Sequence, residues 1–403
     1  MRRVLLAVLA AAASLVAVAP APAAPPDISA PAAFVIQPDT RDVIYARQAR
    51  ARRPVASATK LMTALVALDE LELKRRYTVP AYAASAGESL AGLRGGERMT
   101  FADILRGLML PSGNDAANAL AILTSDSVAT FVKRMNTRAR TLGLRNSHFA
   151  TPVGLDQAGN YSSAEDLVKM ALLLRRNSFV REIMAQSRAV LRSGETDRVV
   201  VNRNTLVGKV PFVDGVKTGH TLDAGYVLVG SATRSGVGVV SAVLGAPSEA
   251  ARDADTLALL RYGLDRYTRR RAVRARHALA KVPVVDQGDA RVGLAAAETL
   301  AAVARNDEKL EVRLKGAPSE IEGPLAAGTR VGTVEVLRRG EVVASTALVT
   351  AVAVPEASVP ERVRSWASRT GTVLLLVFLL GCTVLLVLLR RRLVRRRGAG
   401  EAQ

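Results

Sequence analysis

The stretch PVASATKLMTALVAL, residues 54–68, places Ser57 three positions before Lys60 at the start of an apolar helical pattern. On a helix these two positions share one face, so the lysine amine would stand beside the serine hydroxyl. A serine hydroxyl needs a base to act as a nucleophile, and lysine is a base only when burial or a nearby cation lowers its pKa. The pair predicts a nucleophilic serine, and an ordinary helix N-cap at Ser57 is the alternative.

A second element, Ser112-Gly113-Asn114, lies between two segments with helical patterning, residues 101–110 and 115–123. Side chains at such a break can point into a cleft. A hydroxyl there can relay a proton to a leaving group, and an amide can hold a substrate amide. Because serine, glycine and asparagine are also common in turns, the element alone indicates a turn.

The third element is Lys217-Thr218-Gly219, at the start of a predicted strand and followed by His220. Lys217 would supply a second cation beside the first lysine, and Thr218 could bind a carboxylate. Gly219 would let a substrate lie along the strand edge without a side chain in the way. The backbone N–H of His220 is a candidate oxyanion donor. Taken alone, this tripeptide favours a solvated turn.

Both ends of the chain carry targeting signals. Two arginines, an apolar run and the small residues Ala21-Pro22-Ala23 follow the layout of a secretory signal peptide, with an uncleaved anchor as the alternative. Residues 370–389 contain no charge and are long enough to cross a bilayer, although a buried helix of a soluble protein is the alternative. The arginines that follow predict a cytoplasmic tail and an extracytoplasmic main part.

Composition and charge limit the kinds of partner and of active site that the sequence can have. The net charge of +20 includes arginines at both termini, but the outer part is basic without them. In an exported protein, this charge favours binding to an anionic envelope polymer or a membrane surface over binding to nucleic acid. The single cysteine, Cys382, lies in the apolar run, so the outer part has no disulfide or cysteine nucleophile. The three histidines lack metal-like spacing, and we expect no metal site and no cofactor.

The order of elements predicts an α+β fold. Strand patterns near the start, a helical middle, and strands plus a helix near residue 250 indicate an antiparallel sheet with helices packed on it. A Val- and Gly-rich region further on indicates a small all-β domain. The predicted divisions are a signal peptide (1–23), a linker (24–32), the main domain (33–268), the β domain (278–354), a linker (355–369), a membrane helix (370–389) and a basic tail (390–403).

The three elements S-x-x-K, S-G-N and K-T-G occur in the order found in penicillin-recognising serine enzymes. The segments PVASATKLMTAL, LRGGERMTFADILRGLMLPSGNDAANALA and NRNTLVGKVPFVDGVKTGHT resemble the low-molecular-mass penicillin-binding proteins, serine-type D-alanyl-D-alanine carboxypeptidases. The resemblance covers residues 30–268 closely and 278–354 loosely. It implies a penicillin-binding/β-lactamase-like transpeptidase domain that removes the terminal D-alanine from peptidoglycan stem pentapeptides and is inhibited by β-lactams.

The resemblance also implies roles for individual residues. Ser57 would form the acyl-enzyme and Lys60 would accept its proton. Ser112 and Lys217 would pass the proton to the departing D-alanine, and Asn114 would bind the peptide. Contacts on the carboxylate side would come from Arg203 and Thr218.

This chain departs from the family pattern in two ways. Relatives often have asparagine where this chain has Thr151, and many anchor through an amphipathic C-terminal helix where this chain has a full apolar span. Three alternatives remain open within and outside the enzyme class. They are a β-lactamase, a cross-linking transpeptidase or endopeptidase with the same residues, and a non-catalytic wall-binding protein that kept the fold.

Overall fold

The structure, a computed structural model, describes residues 24–368 and 370–398. The predicted signal peptide therefore lies outside the described residues, as does the end of the basic tail. The chain divides into two compact units. The first contains the described residues up to Ile36, together with Val43–Ala232 and Val240–Gly263. The second contains Gln37–Asp42, Thr233–Val239 and the chain from Leu264 onward.

The main sheet has five strands in the order β2-β1-β9-β8-β7. Strand β1 pairs antiparallel with β9, and β7 pairs antiparallel with β8, so that Lys217 lies opposite Val229. This confirms the predicted antiparallel sheet. The bounds of its strands are Ala32–Gln37 (β1), Asp42–Arg47 (β2), Val213–Thr221 (β7), Gly225–Arg234 (β8) and Val237–Ala246 (β9).

In its described residues, the first unit contains seven α-helices. In α1 the residues from Lys60 to Ala67 are all buried, and the helix packs against α2, α3, α4 and α5. Ser163 caps α5 by accepting a hydrogen bond from Asp166 N. The helices are Lys60–Glu70 (α1), Phe101–Met109 (α2), Asn114–Ser125 (α3), Val128–Thr141 (α4), Ala164–Leu174 (α5), Ser178–Met184 (α6) and Glu249–Leu264 (α7).

Short elements account for most differences from the sequence prediction. The two-stranded sheets β3-β4 and β5-β6 have strands of three or four residues, too short for a hydrophobic period to be visible. The sequence pattern from Ala250 to Tyr267 predicts a helix, but the helix ends three residues before Tyr267, which begins the next strand. The strands of the hairpins are Arg76–Thr78 (β3), Arg98–Thr100 (β4), Arg188–Leu191 (β5) and Arg198–Val201 (β6).

The second unit contains the small all-β domain. A five-stranded sheet has the order β11-β12-β16-β15-β14, and β10 pairs with β13. Its core contains Leu294, Val334 and Leu348. The Val- and Gly-rich pattern predicts short strands such as Glu311 to Leu314, Arg330 to Val336 and Glu341 to Leu348, and the structure adds earlier ones. The strands are Tyr267–Val273 (β10), Ala278–Pro283 (β11), Arg291–Ala296 (β12), Leu300–Arg305 (β13), Glu311–Lys315 (β14), Arg330–Arg338 (β15) and Glu341–Thr350 (β16).

Two helices end the described chain. Helix α8, Val359–Ser368, forms within the segment predicted as a linker. Helix α9, Thr370–Gly398, contains an uncharged apolar run, and Gly371–Arg392 is long and apolar enough to cross a membrane. Its side chains from Gly371 to Arg392 are largely exposed, which is unlike a helix in the core of a soluble protein. Helix α9 is therefore a candidate membrane anchor.

Candidate active site

Ser57 lies in a 3-10 turn, Ala56–Thr59, directly before α1, and Lys60 is the first residue of that helix. The Lys60 Nζ atom is 2.8 Å from the Ser57 Oγ atom. The N-cap position of α1 belongs to Thr59, and the Ser57 hydroxyl contacts the lysine amine in place of a helix N–H. The structure therefore brings the two together as the spacing predicts, and Ser57 is not the N-cap.

Glycines on two neighbouring segments let the Ser57 turn pack closely. A Cβ atom on Gly219 of β7 would lie 2.8 Å from the Val55 carbonyl oxygen and 3.0 Å from Ser57 N. A Cβ atom on Gly154 would overlap the Ala56 carbonyl oxygen. Because these neighbours are backbone atoms that cannot rotate away, both positions need glycine for the turn to keep its place.

Lys60 is fully buried, and every hydrogen-bond partner of its amine is a neutral oxygen. Besides Ser57, the Nζ atom contacts Asn114 Oδ1 at 2.6 Å and the Val153 carbonyl oxygen at 2.7 Å. Burial lowers the pKa of Lys60 to about 7. Coulombic interactions with Asp115 and Glu88 oppose this shift, and the charge of Arg203 adds to it. The amine can thus lose its proton near neutral pH.

Lys217 lies on β7 and is also almost fully buried. Its Nζ atom donates to the Thr218 carbonyl oxygen at 2.9 Å. Burial places its pKa well below the usual value, and the positive charges of Lys60, Arg203 and Arg252 lower it further. The site therefore holds two buried amines whose charged forms repel each other.

Ser112 lies in the loop between α2 and α3 with a φ of +65°, a left-handed conformation that costs energy for a residue other than glycine. Its Oγ atom is buried and has no hydrogen-bond partner among the described residues. A buried hydroxyl without a partner is costly in a folded protein unless a bound molecule completes it. Ser112 also lines the cavity at Ser57, so a substrate there could satisfy it.

Asn114 begins α3, and both ends of its side-chain amide are engaged within the protein. Its oxygen accepts from Lys60, and its Nδ2 atom donates to Glu88 Oε2 at 2.7 Å. The family resemblance predicts that Asn114 binds the peptide. The structure places it behind the cavity, where it links the lysine to a carboxylate.

A cavity of about 320 Å³ opens at Ser57. Six of the nine predicted site residues line it, while Lys60, Asn114 and Lys217 lie buried behind its wall. A larger groove of about 700 Å³ lies beside β5 and contains none of the predicted site residues. The lining residues at Ser57 are Ser57, Gly87, Ser89, Ser112, Arg203, Thr218, Gly219, His220, Tyr226, Glu249 and Arg252.

Sequence reasoning missed several residues of this cavity. Arg252 of α7 is buried and donates to Glu249 Oε1 at 2.9 Å and to Asp253 Oδ1 at 2.7 Å. The His220 ring stacks on Tyr226 with 4.0 Å between ring centroids. An arginine on the buried face of a predicted helix is a weak signal that could have indicated Arg252, because arginine is rarely buried without a role.

The sequence model of the D-alanyl-D-alanine carboxypeptidase family, peptidase S11, matches residues 19–248. The chain belongs to this family. A second family model, the C-terminal domain of penicillin-binding protein 5, matches residues 267–356. The resemblance drawn from the three sequence elements and the predicted fold class are thereby confirmed.

Members of the carboxypeptidase family are similar to the chain over most of its length. The D-alanyl-D-alanine carboxypeptidase DacF of Bacillus subtilis is 33% identical over 326 residues, which cover 78% of this chain and 83% of that protein. DacD of Escherichia coli is 32% identical over 361 residues, covering 85% of this chain and 91% of that protein.

Solved structures give the same assignment to the family. Penicillin-binding protein 5 from Haemophilus influenzae superposes with a TM-score of 0.59 and 29% identity, covering 83% of this chain and all of that one. The Streptomyces K15 DD-transpeptidase superposes with a TM-score of 0.57 and 34% identity, covering 60% of this chain and all of that one. In the described part of the chain, no group of three or more metal-ligating side chains is arranged to hold a metal ion.

Proposed function

We propose that the protein is a serine-type D-alanyl-D-alanine carboxypeptidase in which Ser57 is the nucleophile and Lys60 its base. The observation that carries this proposal is the 2.8 Å contact between Ser57 Oγ and a fully buried lysine amine with a lowered pKa. A neutral amine has a lone pair that can accept the hydroxyl proton. A perturbed lysine beside a serine in a cleft is the arrangement that activates a nucleophile.

The reaction begins when Ser57 Oγ attacks the carbonyl carbon of the penultimate D-alanine and its proton passes to Lys60. The carbon–nitrogen bond to the last D-alanine then breaks. The departing nitrogen takes a proton through Ser112 and Lys217, and an ester to Ser57 remains. Water hydrolyses this ester and restores the serine. A β-lactam would acylate Ser57 by the same attack, with its ring amide in place of the peptide.

Cations around the cavity suit a substrate that ends in a carboxylate. Arg203 and Arg252 line it, and Lys217 lies behind Thr218. We assign the carboxylate side to Arg203, Thr218 and Arg252, since a guanidinium binds a carboxylate through two parallel hydrogen bonds. The backbone N–H groups of Ser57 and His220 are the oxyanion donors in this proposal. They lie on the two segments that Gly219 allows to approach.

The location of this activity is a further part of the proposal. Helix α9 would anchor the protein in the cell membrane as a single span, and its flanking arginines would keep the tail in the cytoplasm. With an N-terminal signal peptide, the catalytic unit would then face the peptidoglycan. The predicted domain boundaries belong to the same proposal, with catalysis assigned to residues 33–268.

Acylation and D-alanine release test the proposal together. The full chain, solubilised in detergent, should take up a fluorescent penicillin at one residue, which mass spectrometry should identify as Ser57. It should also release D-alanine from a peptide that ends in D-Ala-D-Ala. Ser57→Ala should abolish both signals, whereas Ser187→Ala, which removes an exposed hydroxyl in the same unit, should change neither. Normal labelling of Ser57→Ala would refute the assignment.

The same assay separates the remaining alternatives. Fast turnover of penicillin without release of D-alanine would indicate a β-lactamase. Transfer of the acyl group to an added amine would indicate a transpeptidase, the activity for which the similar Streptomyces K15 DD-transpeptidase is named. Cleavage of cross-linked wall peptides would indicate an endopeptidase. Binding of wall fragments without labelling would indicate a non-catalytic protein.

A further inference from the structure

Glu88 lies outside the three sequence elements, yet its side chain is bonded directly to one of them. Its Oε2 atom accepts hydrogen bonds from Asn114 Nδ2 at 2.7 Å and from the Tyr82 hydroxyl at 2.5 Å. Its Oε1 atom accepts from Ser85 N at 3.0 Å. Glu88 does not line the cavity at Ser57, and its hydrogen bond to the site is made through Asn114.

An asparagine amide presents an oxygen that accepts and a nitrogen that donates, and it can turn over to exchange the two. An ionised carboxylate only accepts hydrogen bonds, so it can bond the nitrogen of the amide but not the oxygen. With Glu88 on one side, the Asn114 oxygen must face the other way, toward Lys60 Nζ at 2.6 Å. A hydrogen bond to a carboxylate is also stronger than one to a neutral acceptor.

The orientation of the Asn114 amide decides whether the Lys60 lone pair is available to accept the Ser57 proton. A neutral amine has two N–H donors and one lone pair. The oxygens of Asn114 and Val153 can take both donors, which leaves the lone pair for the Ser57 hydroxyl. If the amide turned over, its nitrogen would donate to that lone pair and compete with Ser57.

We propose that Glu88 is a positioning residue that holds the Asn114 amide with its oxygen toward Lys60 and so reserves the lysine lone pair for the Ser57 proton. This inference rests on the proposed function of Ser57 and Lys60. In this proposal, two hydrogen bonds connect Glu88 through Asn114 to Lys60, the base of the reaction.

The segment that carries Glu88 is held in place by other bonds as well. Asn114 N donates to the Ser89 carbonyl oxygen at 2.7 Å. The Asp115 carboxylate accepts from Ala91 N and Leu93 N, both at 2.9 Å. Because these bonds do not involve the Glu88 side chain, a change of glutamate to glutamine should leave the segment docked on α3.

The charge of Glu88 also acts on Lys60. Burial raises the pKa of Glu88, but hydrogen bonds from Tyr82, Asn114 and Ser85 outweigh it and lower the pKa below its usual value, so the group stays ionised near neutral pH. The charges of Asp115 and Glu88 raise the pKa of Lys60, while burial and Arg203 lower it. Lys217, the other buried lysine of the site, repels the charged form of Lys60. Removing the Glu88 charge should therefore lower the pKa of Lys60.

The pH dependence of acylation tests the inference. In the full chain, the rate of penicillin labelling should rise with pH through the pKa of Lys60 at about 7 and then level off. In Glu88→Gln the plateau rate should fall about 10-fold or more, because the amide is no longer held in one orientation. The midpoint of the rise should also move to lower pH, since the carboxylate charge is gone.

Two further variants separate positioning from a general effect on the fold. Tyr82→Phe removes one hydrogen bond to Glu88 but keeps its charge, so the midpoint should stay near that of the wild type. Glu182→Gln makes the same change as Glu88→Gln on an exposed face of α6 and should change neither plateau nor midpoint. Thermal unfolding of each variant checks that the fold is retained.

The outcomes distinguish this inference from the proposed function. A wild-type protein that is not labelled at Ser57 would refute the proposed function. A labelled wild type with an unchanged plateau in Glu88→Gln would overturn only the role of Glu88. A plateau that falls while the midpoint stays fixed would also overturn it, because loss of packing alone gives that result. If Glu88→Gln does not fold, a shifted midpoint in Tyr82→Phe would overturn the inference.

Discussion

Two buried charged sites, one in each unit, differ in how their charges are paired. In the first unit, Lys60 and Lys217 are excluded from solvent, and their amines contact only neutral oxygens as hydrogen-bond partners. In the second unit, the buried Glu335 of β15 accepts two hydrogen bonds from Arg313, at 2.9 and 2.6 Å. Lys315 Nζ lies 3.8 Å from its other oxygen. The site at Ser57 thus holds two amines without a carboxylate partner, whereas the site at Glu335 holds a paired carboxylate.

This difference indicates which of the two sites can supply a base. A buried charge with an opposite partner remains ionised and contributes to a fixed arrangement. A buried ammonium without a carboxylate partner favours its neutral form, which is what a base requires. Burial is the largest cause of the lowered pKa at both lysines. A buried ionisable side chain thus has a structural role where it is paired, as at Glu335, and a chemical role where it is not, as at Lys60.

The largest effect is expected when the unpaired amine is removed. Lys60→Met keeps a similar length but removes the basic nitrogen, so labelling by fluorescent penicillin should slow about 10³-fold, the scale of a lost general base. Circular dichroism and thermal unfolding should show that the full chain still folds. Labelling within a few-fold of the wild-type rate would mean that another group deprotonates Ser57. The absence of a carboxylate partner at Lys60 would then not identify it as the base.

A second prediction changes packing at the site and leaves both amines in place. Gly219→Ala would put a Cβ atom 2.8 Å from the Val55 carbonyl oxygen and 3.0 Å from Ser57 N, so β7 and the Ser57 turn must separate. We expect penicillin labelling to slow about 10-fold and stability to fall by about 1–3 kcal/mol, as for other overpacked sites.

Gly238→Ala is the matched control for this change. Gly238 is also a strand residue, on β9, but a Cβ atom there would meet nothing within 4 Å. Its labelling rate and unfolding temperature should stay close to those of the wild type. An unaffected Gly219→Ala would show that the close approach of β7 is not needed for acylation.

The sequence was sufficient for the parts of the site that depend on local spacing. Ser57 and Lys60 are three residues apart at a helix start, so their contact follows from helix geometry. Their link to Ser112 and Lys217 came from the order of three motifs, since no local pattern joins segments so far apart. The antiparallel sheet was predictable because β8 and β9 are long and apolar.

Other features depend on tertiary contacts that no local pattern contains. Glu88 precedes the second motif by more than twenty residues, and its bond to Asn114 forms only when the loop docks on α3. The bonds of the Asn114 amide to Lys60 and Glu88 are likewise absent from any local pattern, and its assignment to peptide binding stays a prediction. Arg252 lies on a helix that was predicted, but periodicity does not show which polar residue of a helix enters a cavity.

The smallest effect is expected from the matching substitution in the second unit. Arg313→Met removes a cation, as Lys60→Met does, but this cation pairs with Glu335 and is 56% exposed. Lys315 remains 3.8 Å from the Glu335 carboxylate as a second cation, so the loss of stability should be about 1 kcal/mol. Labelling of Ser57 should be unchanged. Hydrogen exchange measured by mass spectrometry should show faster exchange confined to β14 and β15. Slower labelling would mean that the paired charge of the β domain also affects the reaction, and unpaired burial alone would not identify the chemical site.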